Sequence, residues 1–224
     1  MSLFFIKIIA CITMILDHIK YVIPVTNNFF TQYLGRISFP LFAFTITEGY
    51  SHTRDLTKYY ERLFIFAIIS QIPFMLFRTF VGEYMLLNII FTLLLGLICI
   101  TIYENIDIEY LSIPLICLII YLGYLVKVDY GWYGVCTVFL FHILKDEKKY
   151  LWISFFILSL IYFYSRELLS SLKIDTLYNF LFIMSSLVFI TIYNGKKGKS
   201  LKFFFYLFYP IHMLIFYFVG KIFV

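Results

Sequence analysis

The stretch TMILDHIKYV at 13–22 places an acid, a histidine and a lysine inside a very apolar segment. Lys7 precedes His18 by eleven residues, about three helical turns, so both lie on one helix face. A neutral histidine is the usual general base, and an adjacent carboxylate such as Asp17 can orient it or pair with a nearby cation. The pattern predicts that His18 removes a proton from an acceptor. Lys20 is expected to extend to the membrane interface as an anchor.

The composition predicts an all-α polytopic integral membrane protein. The 224 residues are 62% hydrophobic and only 14% charged, and the mean hydropathy is +0.93. A soluble domain is about 45–50% apolar and about 25% charged. We expect a single domain over 1–224, built as a helical bundle of about nine transmembrane helices, with eight or ten as alternatives. The net charge of +5 is ordinary for a membrane protein and predicts no nucleic-acid binding.

Apolar runs of about 20 residues can cross a bilayer, and the chain has nine candidates. They are 4–24, 30–50, 62–81, 84–103, 109–126, 131–144, 150–165, 176–193 and 202–220. Ten Lys and Arg residues fall on one side of this arrangement, namely Arg54, Lys58, Arg62, Lys145, Lys148, Lys149, Lys196, Lys197, Lys199 and Lys202. Five fall on the other side, namely Arg78, Lys127, Arg166, Lys173 and Lys221. This asymmetry predicts a cytoplasmic N-terminus and an outer C-terminus.

Ionisable side chains inside apolar spans are functional candidates by default, and several converge between the predicted midplane and the outer half. Arg36 is a third catalytic candidate beside His18 and Asp17, because it or Asn88 could stabilise an oxyanion. Arg36 could equally neutralise a buried acid, and Asn88 could be an interhelical hydrogen-bond partner. The predicted substrate- or donor-binding residues are Lys7, Glu48, Asn88, Thr92, Asp129, Tyr130, Tyr209 and His212.

Several chemistries are excluded or left open by the motifs. The chain has no G-x-S-x-G and no H-E-x-x-H, and its four cysteines have neither zinc-site nor disulfide spacing, so no metal is predicted. Direct base-assisted transfer is therefore favoured over a serine or metal mechanism. The same polar residues would also serve a proton-coupled transporter, although no internal repeat supports one. A non-catalytic assembly factor for a surface structure is a further alternative.

Six stretches carry a resemblance that covers almost the whole chain. They are KIIACITMILDHI at 7–19, GRISFPLFAFTITEGY at 35–50, TRDLTKYYERLFIFAIISQIPF at 53–74, NIIFTLLLG at 88–96, DYGWYGV at 129–135 and FYLFYPIHMLIF at 205–216. Together they resemble the TraX family of acyltransferase-related membrane proteins, named for acetylation of F-type conjugative pilin. That family is similar in turn to the acyltransferase-3 O-acetyltransferases and the lysosomal heparan glucosaminide N-acetyltransferase.

Members of the acyltransferase-3 group share a basic residue, ten intervening residues and a histidine in the first helix, as Lys7 and His18 do here. The resemblance implies a multi-pass cell-membrane acetyltransferase with His18 as its catalytic residue. Acetyl-CoA would be the cytoplasmic donor, assisted by Lys7. The resemblance leaves the acceptor open between a pilin-like peptide amine and an envelope glycan, and it gives no oligomeric state.

Overall fold

A computed structural model describes residues 1–82, 87–167 and 174–223, and this part of the chain is helical. It contains nine longer helices and one helix of five residues, α2. In order, the helices are α1 (Leu3–Val22), α2 (Phe29–Tyr33), α3 (Ser38–His52), α4 (Leu56–Arg78), α5 (Ile89–Asn105), α6 (Glu109–Leu125), α7 (Gly131–Ile143), α8 (Lys148–Glu167), α9 (Ile174–Thr191) and α10 (Lys202–Phe223). The described residues contain no strand beyond an isolated bridge between Leu87 and Val128.

Each of the nine predicted spans overlaps one of the longer helices, so the helical positions are confirmed. Residues 84–86 of the fourth predicted span, and Lys173, lie outside the described residues. The second span was predicted as one continuous run, and this was wrong. The structure divides it into α2, a 3₁₀ turn at Leu34–Ile37 and α3.

Proline chemistry explains this division. Pro40 has no N–H, so it cannot bond to the carbonyl of Arg36 and continue a helix from α2. It is instead the third residue of α3, where no intrahelical N–H bond is needed. A capping box between Asn28 and Thr31 starts α2. Arg36 is therefore presented by a tight turn between two helices.

Three of the described helices, α4, α9 and α10, are long and apolar enough to cross a membrane, judged by length and composition. Between 22% and 33% of their most apolar windows is buried inside the fold, so most of that surface faces outward. These helices indicate association with a membrane. α1 is also apolar, but it carries the charges of Lys7, Asp17 and Lys20. The number of crossings and their orientation stay predictions.

The site is positioned by α1, which packs against α3, α10 and the turn at Leu34–Ile37. At Gly35 the turn approaches α1 so closely that an added Cβ would lie 2.3 Å from the Cβ of Asp17. Only glycine permits this approach, and it brings Arg36 beside Asp17. Elsewhere α10 packs on α4, and α7 packs on α3 and α5, while α6 lies at the periphery.

Candidate functional site

A cavity of about 640 Å³ lies between α1, the turn at Leu34–Ile37, α4, α9 and the start of α7. We call it the histidine cavity, because the side chain of His18 forms part of its wall. It also contains more of the residues predicted to act together than any other place in the described structure. Those that line it are Asp17, His18, Arg36, Asp129, Tyr130 and Tyr209.

His18 forms a hydrogen bond with a second histidine from the other end of the chain. Its Nδ1 lies 3.1 Å from Nε2 of His212 on α10, and the two rings stack with centroids 5.2 Å apart. His212 is buried behind His18, and its own Nδ1 lies 2.8 Å from the carbonyl oxygen of Phe208. His18 therefore lies between the cavity and a buried histidine, rather than against a carboxylate.

Asp17 pairs with a lysine, not with His18. Lys20 Nζ lies 2.8 Å from Asp17 Oδ1, and the lysine side chain is only 7% exposed. The interpretation of Lys20 as an interfacial anchor was therefore wrong. Asp17 and Lys20 lie one turn apart on α1 and form an ion pair. The pair neutralises two charges that would each be costly in an apolar bundle.

Arg36 reaches the cavity from the 3₁₀ turn and is held there by a polar residue of α9. Its Nε donates to Oδ1 of Asn179 at 3.0 Å, and its guanidinium lies near Asp17 and Tyr130. A guanidinium that is fixed in this way provides a positive charge in the cavity wall without moving. Arg36 can therefore face an anion that forms near His18.

Asp129 and Tyr130 enter the cavity from the loop that precedes α7. Tyr130 has a left-handed backbone with φ of 61°, which is uncommon for a residue with a side chain. The conformation is held by stacking of its ring on Phe39, with centroids 4.2 Å apart, and by a bond from Thr92 to the carbonyl of Asp129. The backbone amide of Tyr130 also donates to the Asp129 carboxylate at 3.1 Å. The loop is thus fixed in one shape.

A second cavity, also of about 640 Å³, opens among α1, α3, α4 and α10 and is strongly positive. We call it the cationic cavity. Two carboxylates, Glu48 and Asp55, line it, and both already have partners. Glu48 accepts a hydrogen bond from Tyr193, and Asp55 accepts one from the amide of Lys58. Six Lys and Arg side chains also line it, namely Lys7, Arg54, Arg62, Lys197, Lys199 and Lys202.

The acids do not neutralise this excess of positive charge. The amide N–H and ammonium of Lys58 hold the pKa of Asp55 below its usual value, so its carboxylate stays ionised and bound to Lys58. Arg62 lies over the ring of Tyr59 and forms a hydrogen bond with the side chain of Tyr206, but its buried Nε has no hydrogen-bond partner among the described residues. A buried donor without a partner is unfavourable unless a ligand supplies an acceptor.

The lysine loop is held against the start of α1 by backbone hydrogen bonds. The amides of Leu3 and Phe4 donate to the carbonyls of Lys196 and Lys197 at 2.9 and 3.1 Å. Gly198 has φ of 71°, and a Cβ there would lie 2.7 Å from the hydroxyl of Ser2. The glycine therefore lets the loop lie flat on α1 and directs its lysines to the cationic cavity.

The two cavities meet at a thin apolar wall. Four residues line both of them, namely Met14, Phe42, Ile89 and Tyr209. On α1, Met14 lies between Lys7 in the cationic cavity and His18 in the histidine cavity. The helix face that the sequence predicted to join Lys7 and His18 thus runs from one cavity to the other.

Comparisons with known proteins assign the chain to a family. The family model described as TraX protein matches residues 2–220. The chain belongs to the TraX family. Over 96% of its length it is also 29% identical to a probable fimbrial assembly protein FimC, serogroup H1, of Dichelobacter nodosus, and covers 93% of that relative. No solved structure matches the chain.

Two predicted residues of this TraX-family chain support the site without lining either cavity. Asn88 caps α5, and both hydrogens of its amide are used, by the carbonyl of Ala67 and by Gln71. Thr92 donates to the carbonyl of Asp129. Both side chains are fully buried, so they fix the loops around the histidine cavity.

Sequence reasoning missed several cavity residues of the TraX-family chain. Arg54, Arg62 and Arg78 were treated only as loop charges that set the orientation, yet each lines a cavity. Asn179 lies in a predicted span, where an amide is the same kind of signal as Asn88. The same reasoning could have identified Asn179 as a candidate. The spacing of the arginines, however, does not show whether they line a cavity or only lie in a loop.

Proposed function

We propose that the chain is a membrane-embedded acetyltransferase, which moves an acetyl group from cytoplasmic acetyl-CoA to an acceptor at or across the membrane. One observation carries the proposal. A positive cavity and a cavity that contains a histidine lie on either side of one wall of four residues. A polyanionic donor and a proton-bearing acceptor need these two environments close together.

The cationic cavity suits the phosphates of coenzyme A. Lysine and arginine are the side chains that proteins use to bind phosphate groups, and arginine does so with directed N–H groups. Lys7 lies close to the charges of Lys197 and Lys202, an unfavourable arrangement that a bound polyanion would relieve. The unpartnered Nε of Arg62 would gain an acceptor from the same ligand.

The transfer needs one base and no metal or covalent serine. His18 accepts the proton of the acceptor N–H or O–H while that atom attacks the thioester carbonyl. The carbon–sulfur bond then breaks, and His18 returns the proton to sulfur, which leaves as the coenzyme A thiol. Arg36 would stabilise the oxyanion formed on the way, since Asn88 has no amide hydrogen to spare.

The relatives favour one class of acceptor over the other. The TraX family is linked to pilin acetylation, and the Dichelobacter relative is named as a fimbrial assembly protein. A role in the modification or assembly of a pilin-like protein is the function these relatives support. We therefore favour an amine of a pilin-like peptide as acceptor over a hydroxyl of an envelope glycan.

The direct test uses the full chain, purified in detergent, with acetyl-CoA labelled in its acetyl group and a membrane extract from the same cells. We expect label to be transferred to a protein acceptor and free coenzyme A to be released in equal amount. Heat-denatured protein is the control. Absence of both transferred label and enzyme-dependent release of coenzyme A would reject the acetyltransferase.

A non-catalytic assembly factor is the second candidate, and the printed name of the Dichelobacter relative favours it. The two functions can be distinguished in cells that lack the wild-type protein and instead express the His18→Gln variant. An acetyltransferase should leave pilin-like subunits unacetylated in these cells. An assembly factor should instead restore surface assembly fully, since the fold does not require a base at position 18.

The wall between the cavities provides a further prediction. Met14→Trp should block the passage of the acetyl group, because a larger ring would fill the wall that both cavities share. We expect at least roughly a tenfold lower transfer rate, with acetyl-CoA binding retained, because the Lys and Arg side chains proposed to bind its phosphates are unchanged. Met14→Leu conserves volume and is the matched control. Equal rates in Met14→Trp and wild type would show that the acetyl group does not cross there.

A further inference from the structure

We propose that His212 is a positioning residue, which holds His18 with its proton on Nδ1 and presents the lone pair of Nε2 to the acceptor. This inference rests on the proposed acetyltransferase function. It gives His212 a different role from substrate or donor binding, because the residue lies behind His18 and does not line either cavity.

The first step concerns the proton of His212. Its Nδ1 lies 2.8 Å from the carbonyl oxygen of Phe208, one turn earlier on α10. A carbonyl oxygen only accepts hydrogen bonds, so Nδ1 of His212 must carry the proton. In the neutral ring this leaves Nε2 of His212 as an acceptor.

The second step passes this constraint to His18. Nε2 of His212 lies 3.1 Å from Nδ1 of His18. Since Nε2 of His212 accepts, Nδ1 of His18 must donate, and the neutral His18 ring then has its lone pair on Nε2. A backbone carbonyl of α10 thus determines the tautomer of a side chain on α1.

The third step is that packing maintains the arrangement. The rings of the two histidines stack, with an angle of 25° between their planes. Phe216 lies beside both rings, and Phe77 packs edge-on against His18 with centroids 4.9 Å apart. His212 is 5% exposed, so water competes little for its hydrogen bonds. His18 is thus held in one orientation before any acceptor binds.

The consequence is that the hydrogen bond to His212 stabilises the protonated form of His18. When Nε2 of His18 accepts the acceptor proton, the hydrogen bond from Nδ1 to His212 becomes charge-assisted, and such bonds are roughly twice as strong as neutral ones. His212 stays neutral and touches neither donor nor acceptor. Its contribution therefore appears in the rate of the chemical step and not in the binding of either substrate.

A spectroscopic experiment tests the geometry without activity. The full chain, labelled with ¹⁵N-histidine, is studied in detergent at mildly alkaline pH, where histidine is ordinarily neutral. The chain has four histidines, and His18→Gln and His212→Gln variants assign the two signals. We expect the ring protons of both His18 and His212 on Nδ1. A proton of His18 on Nε2 would overturn the proposal, even if the enzyme transfers acetyl groups.

A kinetic experiment tests the role. His212→Leu removes the acceptor for Nδ1 of His18, and we expect kcat to fall roughly 10- to 100-fold with KM for acetyl-CoA unchanged. His212→Gln keeps a side-chain carbonyl near the position of Nε2 and should recover most of that loss. Equal losses in both variants, or a change in KM alone, would overturn the positioning role. If wild type transfers no acetyl group, the proposed function fails, while the ¹⁵N spectrum still tests the histidine pair.

Discussion

Replacing His18 by glutamine is expected to lower kcat for acetyl transfer by about 10²- to 10⁴-fold, which is the usual contribution of a general base. Glutamine is polar and similar in length, so it should keep the contact with His212 while losing the ability to accept a proton. KM for acetyl-CoA should change little, because the donor phosphates are proposed to bind in the cationic cavity. The measurement is the initial rate of label transfer to acceptor at saturating donor.

The matched control is His142→Gln. His142 is also buried, but it pairs with Glu104 at 2.7 Å and lines neither cavity. We expect this variant to fold and to keep its transfer rate within a small factor of wild type. If His18→Gln and His142→Gln lost the same fraction of activity, the loss would reflect the fold, and His18 would not be the base.

The second large effect is expected in the cationic cavity. Arg62→Gln and Lys7→Gln should each raise KM for acetyl-CoA by roughly 10- to 100-fold, because each removes a charged contact to phosphate. kcat at saturating donor should stay close to wild type, since neither residue reaches the histidine cavity. Arg62 should show the larger effect, because its buried Nε lacks a hydrogen-bond partner within the part of the chain that the structure describes.

Lys149→Gln is the control for the loss of one positive charge. Lys149 is exposed on the same predicted side of the membrane and does not line the cationic cavity. Isothermal titration with coenzyme A and with its dephosphorylated form would show whether phosphate is the group recognised. A KM unchanged in Arg62→Gln and Lys7→Gln would place the donor elsewhere.

The buried charges of the histidine cavity show how an apolar bundle holds polar chemistry. Asp17 pairs with Lys20, and Arg36 is held by Asn179, so these ionised groups have partners on their own or adjacent elements. An unpaired charge in such surroundings would cost several kcal/mol. A neutral His18 avoids that cost until the proposed reaction transfers a proton to it.

The sequence by itself was enough to predict the helical class and the positions of the nine longer helices. It also predicted that Lys7 and His18 lie on one helix face. Apolar runs reveal helix positions because a chain surrounded by lipid must bond its backbone internally. The spacing of Lys7 and His18 is a property of one helix, so it can be counted along the chain. The break before α3 was also readable in principle from Pro40.

Only the tertiary structure decided which side chains meet. His18 and His212 are 194 residues apart in sequence and 3.1 Å apart in space, and no local pattern specifies such a pair. The position of Arg36 was decided likewise, since it lies beside Asp17 only because Gly35 lets the turn approach α1. Local spacing determines the face of a helix, but packing determines what that face contacts, and this contact sets the chemistry of the site.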